Sequence, residues 1–344
     1  MATKNKLLLC LKEQKGEWIS GQSISNRLSV SRTAIWKHVG KLKADGYVIE
    51  SSPKKGYLLV KVPDLLIADE IQEKLNTSVF GKKDIIYFRE TDSTNTRAKD
   101  LASNGAPEGT VVVAEKQTKG RGRRGRDWFS PFGDGIYASL ILRPAISPVK
   151  APKITLMAAV AVAESLLSLT QLDVRIKWPN DILINGKKIA GILTEISTEM
   201  DRVNYIVVGL GLNVNTSFKS STEEVKKRAT SILVETGKPF SRIKLVQAYL
   251  QFYEKYYEMF NENGFEPIMS RWKELANIVG QRIVVDIIGK KYIGKVLDVD
   301  DDGILILKDN QGTIHRIFSG DVAFASNNSS FAPFNLSKTL DGKG

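Results

Sequence analysis

An Asn-Gly pair at positions 185–186 constrains the fold more than any other feature of the chain. It separates two apolar runs within KWPNDILINGKKIAGILTEIS, residues 177–197. Asn-Gly between β-rich runs is the strongest short signal for a two-residue hairpin, and the turn sets the register of the two strands. The predicted register places Leu183 opposite Lys188. Since hairpins join part of the strands, the central sheet is predicted to be mixed, in an α+β fold, rather than doubly wound and parallel.

Strand alternation about this turn separates the two lysines that follow it. One predicted face is rich in isoleucine and is expected to be core; it carries Ile182, Ile184, Lys187 and Ile189. The other face carries Asp181, Leu183 and Lys188. Lys188 is therefore predicted to point away from the core, into a site or into water, and two solvated turn lysines are the alternative interpretation.

The hydrophobic pattern changes twice along the 344 residues and predicts three domains. Residues 1–63 have the pattern of three helices and a hairpin, typical of a winged helix-turn-helix. Residues 64–276 alternate helices and strands. Residues 277–326 contain four short strands divided by Gly- and Asp-rich turns, which predicts a small SH3-like β-barrel. The polar tail, 327–344, is predicted to be disordered.

The basic charge is concentrated in the first predicted domain. The chain has a net charge of +12, of which +8 lies in residues 1–62. A local basic excess on a helix-turn-helix favours a DNA partner over a merely solvated basic face. The N-terminal residues of the second helix of the motif reach base edges and the wing reaches phosphate. The predicted DNA contacts are Ser31, Arg32, Thr33, Trp36 and Lys37 on the helix, and Lys54 and Lys55 on the wing.

Residue usage excludes several kinds of chemistry. The chain has two histidines and one cysteine, Cys10, which falls in the first predicted helix. Neither thiol catalysis nor a tightly bound His- or Cys-ligated metal is expected, and an enzyme built from these residues would act by positioning and electrostatics. A single cysteine fits a reducing compartment. No secretory signal or membrane-spanning run is predicted, so a cytoplasmic location without membrane contact is expected.

Four arginines and three glycines alternate in GRGRRGR, residues 120–126. Glycine lets backbone N–H groups approach an anion, and guanidinium groups grip carboxylate or phosphate. An RNA-binding tract of this kind would repeat within a low-complexity tail. This one occurs once, between two predicted strands, which favours a loop that binds a small anion and becomes ordered around it.

Two other polar stretches border predicted strands. Ser93, Thr94 and Asn95 stand where a strand gives way to a helix, so they are either helix caps or a group of hydrogen-bonding side chains for a polar ligand. GLGLNVN, residues 209–215, lacks the third glycine of a dinucleotide fingerprint. Its glycines suit the close approach of a flat ligand such as a base, with a β-bulge as the alternative.

These stretches together resemble the biotin–protein ligases. DSTN, AEKQTKGRGRRGRDWFSPFG, KWPND, KKIAGIL and GLGLNVN follow one another in the order found in that family. With the basic winged helix in front, the chain is similar to the bifunctional ligases that also repress biotin genes. The resemblance covers about residues 5–325.

The resemblance implies a reaction and its site. Biotin and ATP form biotinyl-5′-AMP with Mg²⁺ assisting, and a lysine of a biotin carboxyl carrier protein then takes the biotin. It implies that Lys188, Arg121 and Arg123 are catalytic, with Arg123 retaining the adenylate. The implied biotin contacts are Ser93, Thr94, Asn95, Gln117, Gly120, Arg121, Gly122, Arg123 and Lys188. The implied nucleotide contacts are Trp128, Gly211 and Asn213, and Asp181 is a candidate for holding the metal or positioning the lysine.

The resemblance also implies regulation. Bound biotinyl-AMP would order the arginine loop and promote a homodimer whose two winged helices reach two operator half-sites. Three alternatives remain open at this stage: a lipoate–protein ligase, a ligand-sensing transcription factor without catalysis, and, last, an RNA-binding protein. A thiol-dependent lipoyl transferase is disfavoured because Cys10 lies in the wrong domain.

Overall fold

The computed structural model describes residues 3–14, 16–199 and 202–324, so the predicted disordered tail lies outside the described residues. The chain divides into two compact units between Leu65 and Leu66. The central segment and the small β-domain belong to the same unit.

The first unit contains three helices and a hairpin, as predicted. Ser20 and Ser31 cap the second and third helices by accepting hydrogen bonds from Ser23 N (3.0 Å) and Ala34 N (3.2 Å). Cys10 is buried in the helical core. The elements are α1 (Thr3–Glu13), α2 (Gly21–Leu28), α3 (Arg32–Ala44), β1 (Val48–Ser52) and β2 (Gly56–Lys61).

A seven-stranded mixed sheet forms the centre of the second unit. Its strands are β3 (Ile85–Phe88), β4 (Val111–Ala114), β5 (Gly135–Leu142), β6 (Val174–Lys177), β7 (Asp181–Ile184), β8 (Lys187–Glu199) and β9 (Arg202–Asn213). The strand order is β3-β4-β5-β9-β8-β7-β6, and only β3 and β4 pair in parallel. The β7–β8 hairpin has the predicted register, with Leu183 opposite Lys188. The predicted mixed sheet is confirmed.

The described part of the second unit contains seven α-helices: α4 (Ala68–Gln72), α5 (Thr94–Ser103), α6 (Ala151–Leu169), α7 (Glu223–Arg228), α8 (Ile232–Thr236), α9 (Arg242–Asn263) and α10 (Glu266–Ala276). Helix α6 contacts α9, α10 and strands β6 to β9, which places the main core on one face of the sheet. Helix α5 packs with β4, β5 and β9 around a separate apolar cluster that includes Val112, Ile141 and Val207. Strand alternation therefore assigns Ser139, Gly209 and Gly211 to the α5 face.

Helix α6 is apolar on nearly every side because it is a core helix. It is long and apolar enough to span a membrane by length and composition alone, but most of it is buried against the sheet and the neighbouring helices. Burial on several sides explains the apolar composition without a bilayer.

The small β-domain is a five-stranded antiparallel sheet ordered β13-β12-β11-β10-β14. Its strands are β10 (Arg282–Ile287), β11 (Lys290–Val299), β12 (Leu305–Asp309), β13 (Ile314–Ile317) and β14 (Asp321–Phe324). Helices α7, α8 and α10 and strand β14 are not among the elements predicted from the sequence. The Trp178 indole Nε1 donates to Gly303 O (3.0 Å), so a buried side chain of the central segment anchors this domain.

Candidate functional site

A cavity of about 370 Å³ lies on the α5 face of the central sheet, bordered by the arginine loop and one residue of the small β-domain, Asp321. Twelve of the thirteen site residues predicted in the central segment line it: Ser93, Thr94, Asn95, Gln117, Arg121, Gly122, Arg123, Trp128, Asp181, Lys188, Gly211 and Asn213. Gly120 is the exception. A Cβ there would lie 2.6 Å from Trp128 O, so its glycine is required by close packing inside the loop.

Three glycines form the floor of the cavity. Gly191 pairs directly with Gly211 across β8 and β9, and Gly209 lies two residues before Gly211. A Cβ on Gly209 would lie 2.0 Å from the Asn95 side-chain oxygen, and one on Gly211 would lie 2.4 Å from the Trp128 ring. The groups that pack against Gly209 and Gly211 are thus the Asn95 amide and the Trp128 ring of the protein itself. The strand pairing has no register shift at these two glycines, so a β-bulge does not explain their presence.

The N-terminus of α5 forms one end of the cavity. Ser93 precedes the helix but makes no side-chain capping bond, so its hydroxyl is not used as a cap. Thr94 N donates to Gln117 Oε1 (2.9 Å), and Gln117 Nε2 donates to Ser130 Oγ (3.0 Å). These bonds join the start of α5 to the segment between β4 and β5, and they orient the Gln117 amide.

Glu195 lies beneath this end of the cavity and was not predicted from the sequence. Its carboxylate accepts from Asn95 Nδ2 (2.9 Å), Lys99 Nζ (2.8 Å) and Arg121 Nη2 (3.2 Å). Burial alone would raise the pKa of Glu195, but the bonds from Lys99 and Asn95 and the charge of Arg121 hold this pKa below its ordinary value.

The arginine loop joins β4 to β5 and reaches both the sheet and the small β-domain. Arg123 donates from Nη1 to Asn180 Oδ1 (2.7 Å) and from Nη2 to Ser319 Oγ (2.8 Å). Burial lowers the pKa of the Arg123 guanidinium, partly offset by the charges of Asp181 and Asp321. Asn180 in turn donates to Ile192 O (2.8 Å), which fixes the orientation of its amide.

Asp321 at the start of β14 binds the other two arginines of the loop. Arg124 Nη1 lies 3.2 Å from its carboxylate, and Arg126 makes a close ion pair with the same oxygen. Burial alone would raise the pKa of Asp321, but the Arg126 hydrogen bond and the charges of Arg126, Arg124 and Arg123 hold it below the ordinary value. The small β-domain therefore supplies the counter-charge for the loop.

Lys188 projects into the cavity, as the strand alternation predicts. Its Nζ lies 2.6 Å from Asp181 Oδ1 and 5.3 Å from the centroid of the Trp128 ring. Lys187 is exposed on the opposite side of the strand.

A second lysine, Lys177, lies near the same charges. Burial lowers the pKa of Lys177, the Asp181 charge opposes this shift, and the Lys188 charge reinforces it. An ammonium group and an aromatic ring thus lie against Gly191, with the Asp181 carboxylate beside the ammonium group, whereas the Asn95 side chain lies against Gly209.

Among the described residues, no cluster of three or more His, Cys, Asp or Glu side chains could hold a metal ion. Asp181 faces Lys188 instead. Asn213 is buried and its Nδ2 donates to Thr230 O (3.1 Å), so one of its amide hydrogens forms a structural hydrogen bond.

The predicted DNA contacts lie in the first unit, and all seven side chains are exposed. Trp36 is the extreme case, with 68% of its surface accessible although it is a large aromatic residue. Ser31 also caps α3, so its hydroxyl already has one structural role.

Several site residues are missing from the sequence prediction. Glu195 follows Gly191 and Leu193 at two-residue spacing, so alternation along β8 was an available signal. Asn180 lies inside the quoted KWPND motif. Ser319 and Asp321 gave no signal, since only the folded chain brings them beside the arginine loop.

Comparison with known proteins gives three family matches in the predicted order. The HTH domain matches residues 3–58, the biotin/lipoate A/B protein ligase family residues 87–213, and the biotin protein ligase C-terminal domain residues 278–325. The bifunctional ligase/repressor BirA of Bacillus subtilis is 44% identical over 93% of this chain and 98% of its own length. Its Escherichia coli counterpart is 32% identical over 90% and 94%. A solved biotin protein ligase from Aquifex aeolicus, in complex with biotin and ATP, is 31% identical with a TM-score of 0.60 and covers 71% of this chain and 99% of that chain.

Proposed function

This chain belongs to the family of bifunctional biotin–protein ligases and repressors, and on that premise we propose which of its residues carry out each function. It is an ATP-dependent biotin–protein ligase and a transcriptional repressor. The observation that carries the assignment of roles is the convergence of Lys188, Arg121 and Arg123 on one cavity that also receives Asn95 and Trp128.

The activation step requires charge neutralisation rather than a protein nucleophile. The biotin carboxylate attacks the α-phosphorus of ATP, forming biotinyl-5′-AMP and releasing pyrophosphate. Lys188 contacts the reacting carboxyl and phosphoryl oxygens, where an ammonium group offsets the negative charge that accumulates in the transition state. Arg121 and Arg123 lie over the same groups, and Arg123 retains the adenylate.

The two ends of the substrate occupy the two ends of the cavity. Ser93, Thr94, Asn95 and Gln117 bind the ureido head of biotin, with Gly120 and Gly122 shaping the loop above it. Trp128, Gly211 and Asn213 lie beside the adenine. The 5.3 Å between the Lys188 ammonium group and the Trp128 ring supports this orientation, because in it the reacting carboxyl and phosphoryl groups lie next to the base.

Mg²⁺ enters with ATP rather than as a resident ion. Mg²⁺ sites for nucleotides use one or two carboxylates together with phosphate oxygens. Asp181 fits that pattern and is the residue that would hold the ion, whose charge would offset that of the phosphates. Asp181 also positions Lys188, as the 2.6 Å contact between Lys188 Nζ and Asp181 Oδ1 supports.

The second substrate is a biotin carboxyl carrier domain in the cytoplasm. Its lysine ε-amine attacks the carbonyl carbon of the mixed anhydride, AMP leaves, and the amine proton is lost to solvent. The repressor function uses Arg32, Thr33, Trp36 and Lys37 at base edges and Lys54 and Lys55 at phosphate. A homodimer formed when biotinyl-AMP is bound presents two such units to operator DNA.

Biotin-dependent exchange of labelled pyrophosphate into ATP tests the activation step, with lipoate as the matched control acid. Exchange with biotin alone is expected. Exchange with lipoate alone would indicate a lipoate ligase, and exchange with neither acid would contradict the assigned reaction.

Operator binding measured with and without biotin plus ATP tests the regulation, alongside sedimentation of the same samples. Tighter DNA binding that coincides with dimer formation is expected. Equal affinity in both conditions would contradict the coupling while leaving the ligase assignment intact.

A further inference from the structure

Glu195 is the only described residue that bonds both to the predicted head-group contact Asn95 and to the arginine loop. It lies on β8 two residues beyond Leu193, which lines the cavity, but it is not itself part of the cavity lining. Burying a carboxylate costs free energy unless donors compensate its charge, and the Glu195 carboxylate has three such donors.

The Asn95 carboxamide has its orientation fixed by its acceptors. Its Nδ2 donates to Leu193 O (3.1 Å) and to Glu195 Oε2 (2.9 Å), and both of these atoms can only accept. Both amide hydrogens are therefore used. The Asn95 oxygen accepts from Ser139 Oγ (2.6 Å) and has one remaining lone pair for a ligand.

Arg121 is held by the same carboxylate oxygen that Asn95 uses. Its Nη2 lies 3.2 Å from Glu195 Oε2, and it also donates to Thr96 Oγ1 (3.3 Å). The first arginine of the loop is thereby held against the start of α5. Lys99 binds the other Glu195 oxygen, Oε1, and does not line the cavity.

We propose that Glu195 is a positioning residue for ligand recognition: it presents the Asn95 carbonyl oxygen to an N–H donor of the ligand and holds Arg121 over the same ligand. The inference rests on the proposed function, in which that donor is a ureido N–H of biotin. Without the Glu195 charge, the Asn95 amide can rotate and offer N–H where the ligand also offers N–H, and Arg121 loses its counter-ion.

The test compares Glu195→Gln with Lys99→Met in the full-length protein, by biotin-dependent pyrophosphate exchange. Glu195→Gln is expected to raise the KM for biotin about 10- to 100-fold, the range for losing a hydrogen bond to a charged group, with the KM for ATP little changed. Lys99→Met removes a bond to the other oxygen and is expected to leave the KM for biotin within about 3-fold. Equal effects of both variants would indicate a structural role for the α5–β8 contact and overturn the proposal.

Discrimination between two ligand analogues is a second readout. Partial misfolding lowers the amount of active protein but does not change the ratio of the two affinities. Biotin methylated on one or the other ureido nitrogen is compared with biotin by competition binding. Wild type is expected to reject the analogue whose methyl replaces the hydrogen facing Asn95, and Glu195→Gln to discriminate less between the two. In the Asn95→Ala background the Glu195→Gln effect is expected to shrink, since one route of action is gone.

The outcomes distinguish failure of the proposed ligase function from failure of the proposed role of Glu195. If wild type shows no biotin-dependent exchange, the proposed function fails. If wild type exchanges normally and Glu195→Gln keeps both its KM for biotin and its discrimination, only the role of Glu195 is refuted.

Discussion

Arg123 contacts two distant parts of the chain with the two terminal nitrogens of one guanidinium group. One contact is Asn180, on the β6–β7 turn, and the other is Ser319, just before β14. A lysine would have to make both contacts from one nitrogen, whereas the planar fork of arginine offers a separate nitrogen to each partner. The side chain therefore holds the loop across the open side of the cavity.

Replacing Arg123 with glycine is expected to preserve biotin activation and to let the adenylate escape, because the loop loses the two contacts that Arg123 makes with Asn180 and Ser319. Release is measured as biotin label transferred to a bystander protein that is not a substrate. Arg126→Gly is the matched control, since Arg126 in the same loop contacts Asp321 but not Asn180. No increase in bystander labelling with Arg123→Gly would count against retention.

Replacing Lys188 with alanine is expected to reduce pyrophosphate exchange about 100- to 1000-fold, the usual cost of removing one preorganised charge-stabilising group. The neighbouring Lys187→Ala is the control, because Lys187 is exposed on the opposite side of the same strand. Wild-type exchange in Lys188→Ala would refute its catalytic assignment, and a similar loss in Lys187→Ala would indicate a disturbed hairpin instead.

At the scale of elements, the arginine loop is held by the edge strand of the small β-domain. Arg124 and Arg126 both bind Asp321 on β14. The pKa of Asp321 is lower in the folded protein than its ordinary value. Its contribution to loop docking is therefore complete above the unfolded pKa of about 4 and is lost as the pH falls through the folded pKa.

Acidification below about pH 4 is therefore expected to free the arginine loop from the small β-domain. Hydrogen exchange of residues 120–128 measures the change. Asp321→Asn is expected to show faster exchange already at neutral pH and a smaller further increase in acid. Asp309→Asn is the control, because Asp309 in the same domain binds His315 and not the loop. Unchanged loop exchange in Asp321→Asn would contradict this docking.

At the scale of the whole molecule, a fully buried ion pair joins three segments of the second unit. Glu115 and Arg242 are 0% and 1% exposed at their side chains and lie 2.8 Å apart. The other Glu115 oxygen accepts from Leu66 N (2.7 Å), at the first residue of the unit. The end of β4, the start of α9 and the entry of the chain into this unit thus share one carboxylate.

Glu115→Gln is expected to lower the free energy of unfolding by about 3–5 kcal/mol, because it removes the negative charge that pairs with the buried Arg242 guanidinium. Denaturant unfolding measures the loss. Glu224→Gln, which removes an exposed i,i+4 partner of Arg228, is expected to cost about 0.5 kcal/mol or less. Equal stabilities for the two variants would show that the buried pair is not needed for the fold.

The DNA-binding unit gives a prediction that is independent of catalysis. Arg32→Ala combined with Lys37→Ala is expected to abolish duplex binding, since both side chains are exposed on the N-terminal part of α3. Gel-shift titration measures binding, and pyrophosphate exchange by the same protein serves as the folding control. Wild-type DNA affinity with both changes would refute the assignment of α3 as the recognition helix.

Elements with strong local signals could be predicted from the sequence. The turn at 185–186 carries its own register, the serines before α2 and α3 mark their starts, and α6 is apolar over its full length. Helices α7, α8 and α10 and strand β14 were missed. Strand β14 has only four residues and forms because β10 offers it an edge, a partner some 40 residues away.

In the candidate site, too, some features follow from the local sequence and others only from the tertiary structure. The sequence by itself determined the residue types that bind anions and amides, and which face of the β7–β8 hairpin carries Lys188, because these follow from composition, turn chemistry and strand alternation. Only the tertiary structure decided that Glu195 joins Asn95 to Arg121, and that Asp321 and Ser319 hold the arginine loop. Those contacts join residues 74 to 197 positions apart, and packing of the whole unit, rather than any local preference, brings such residues together.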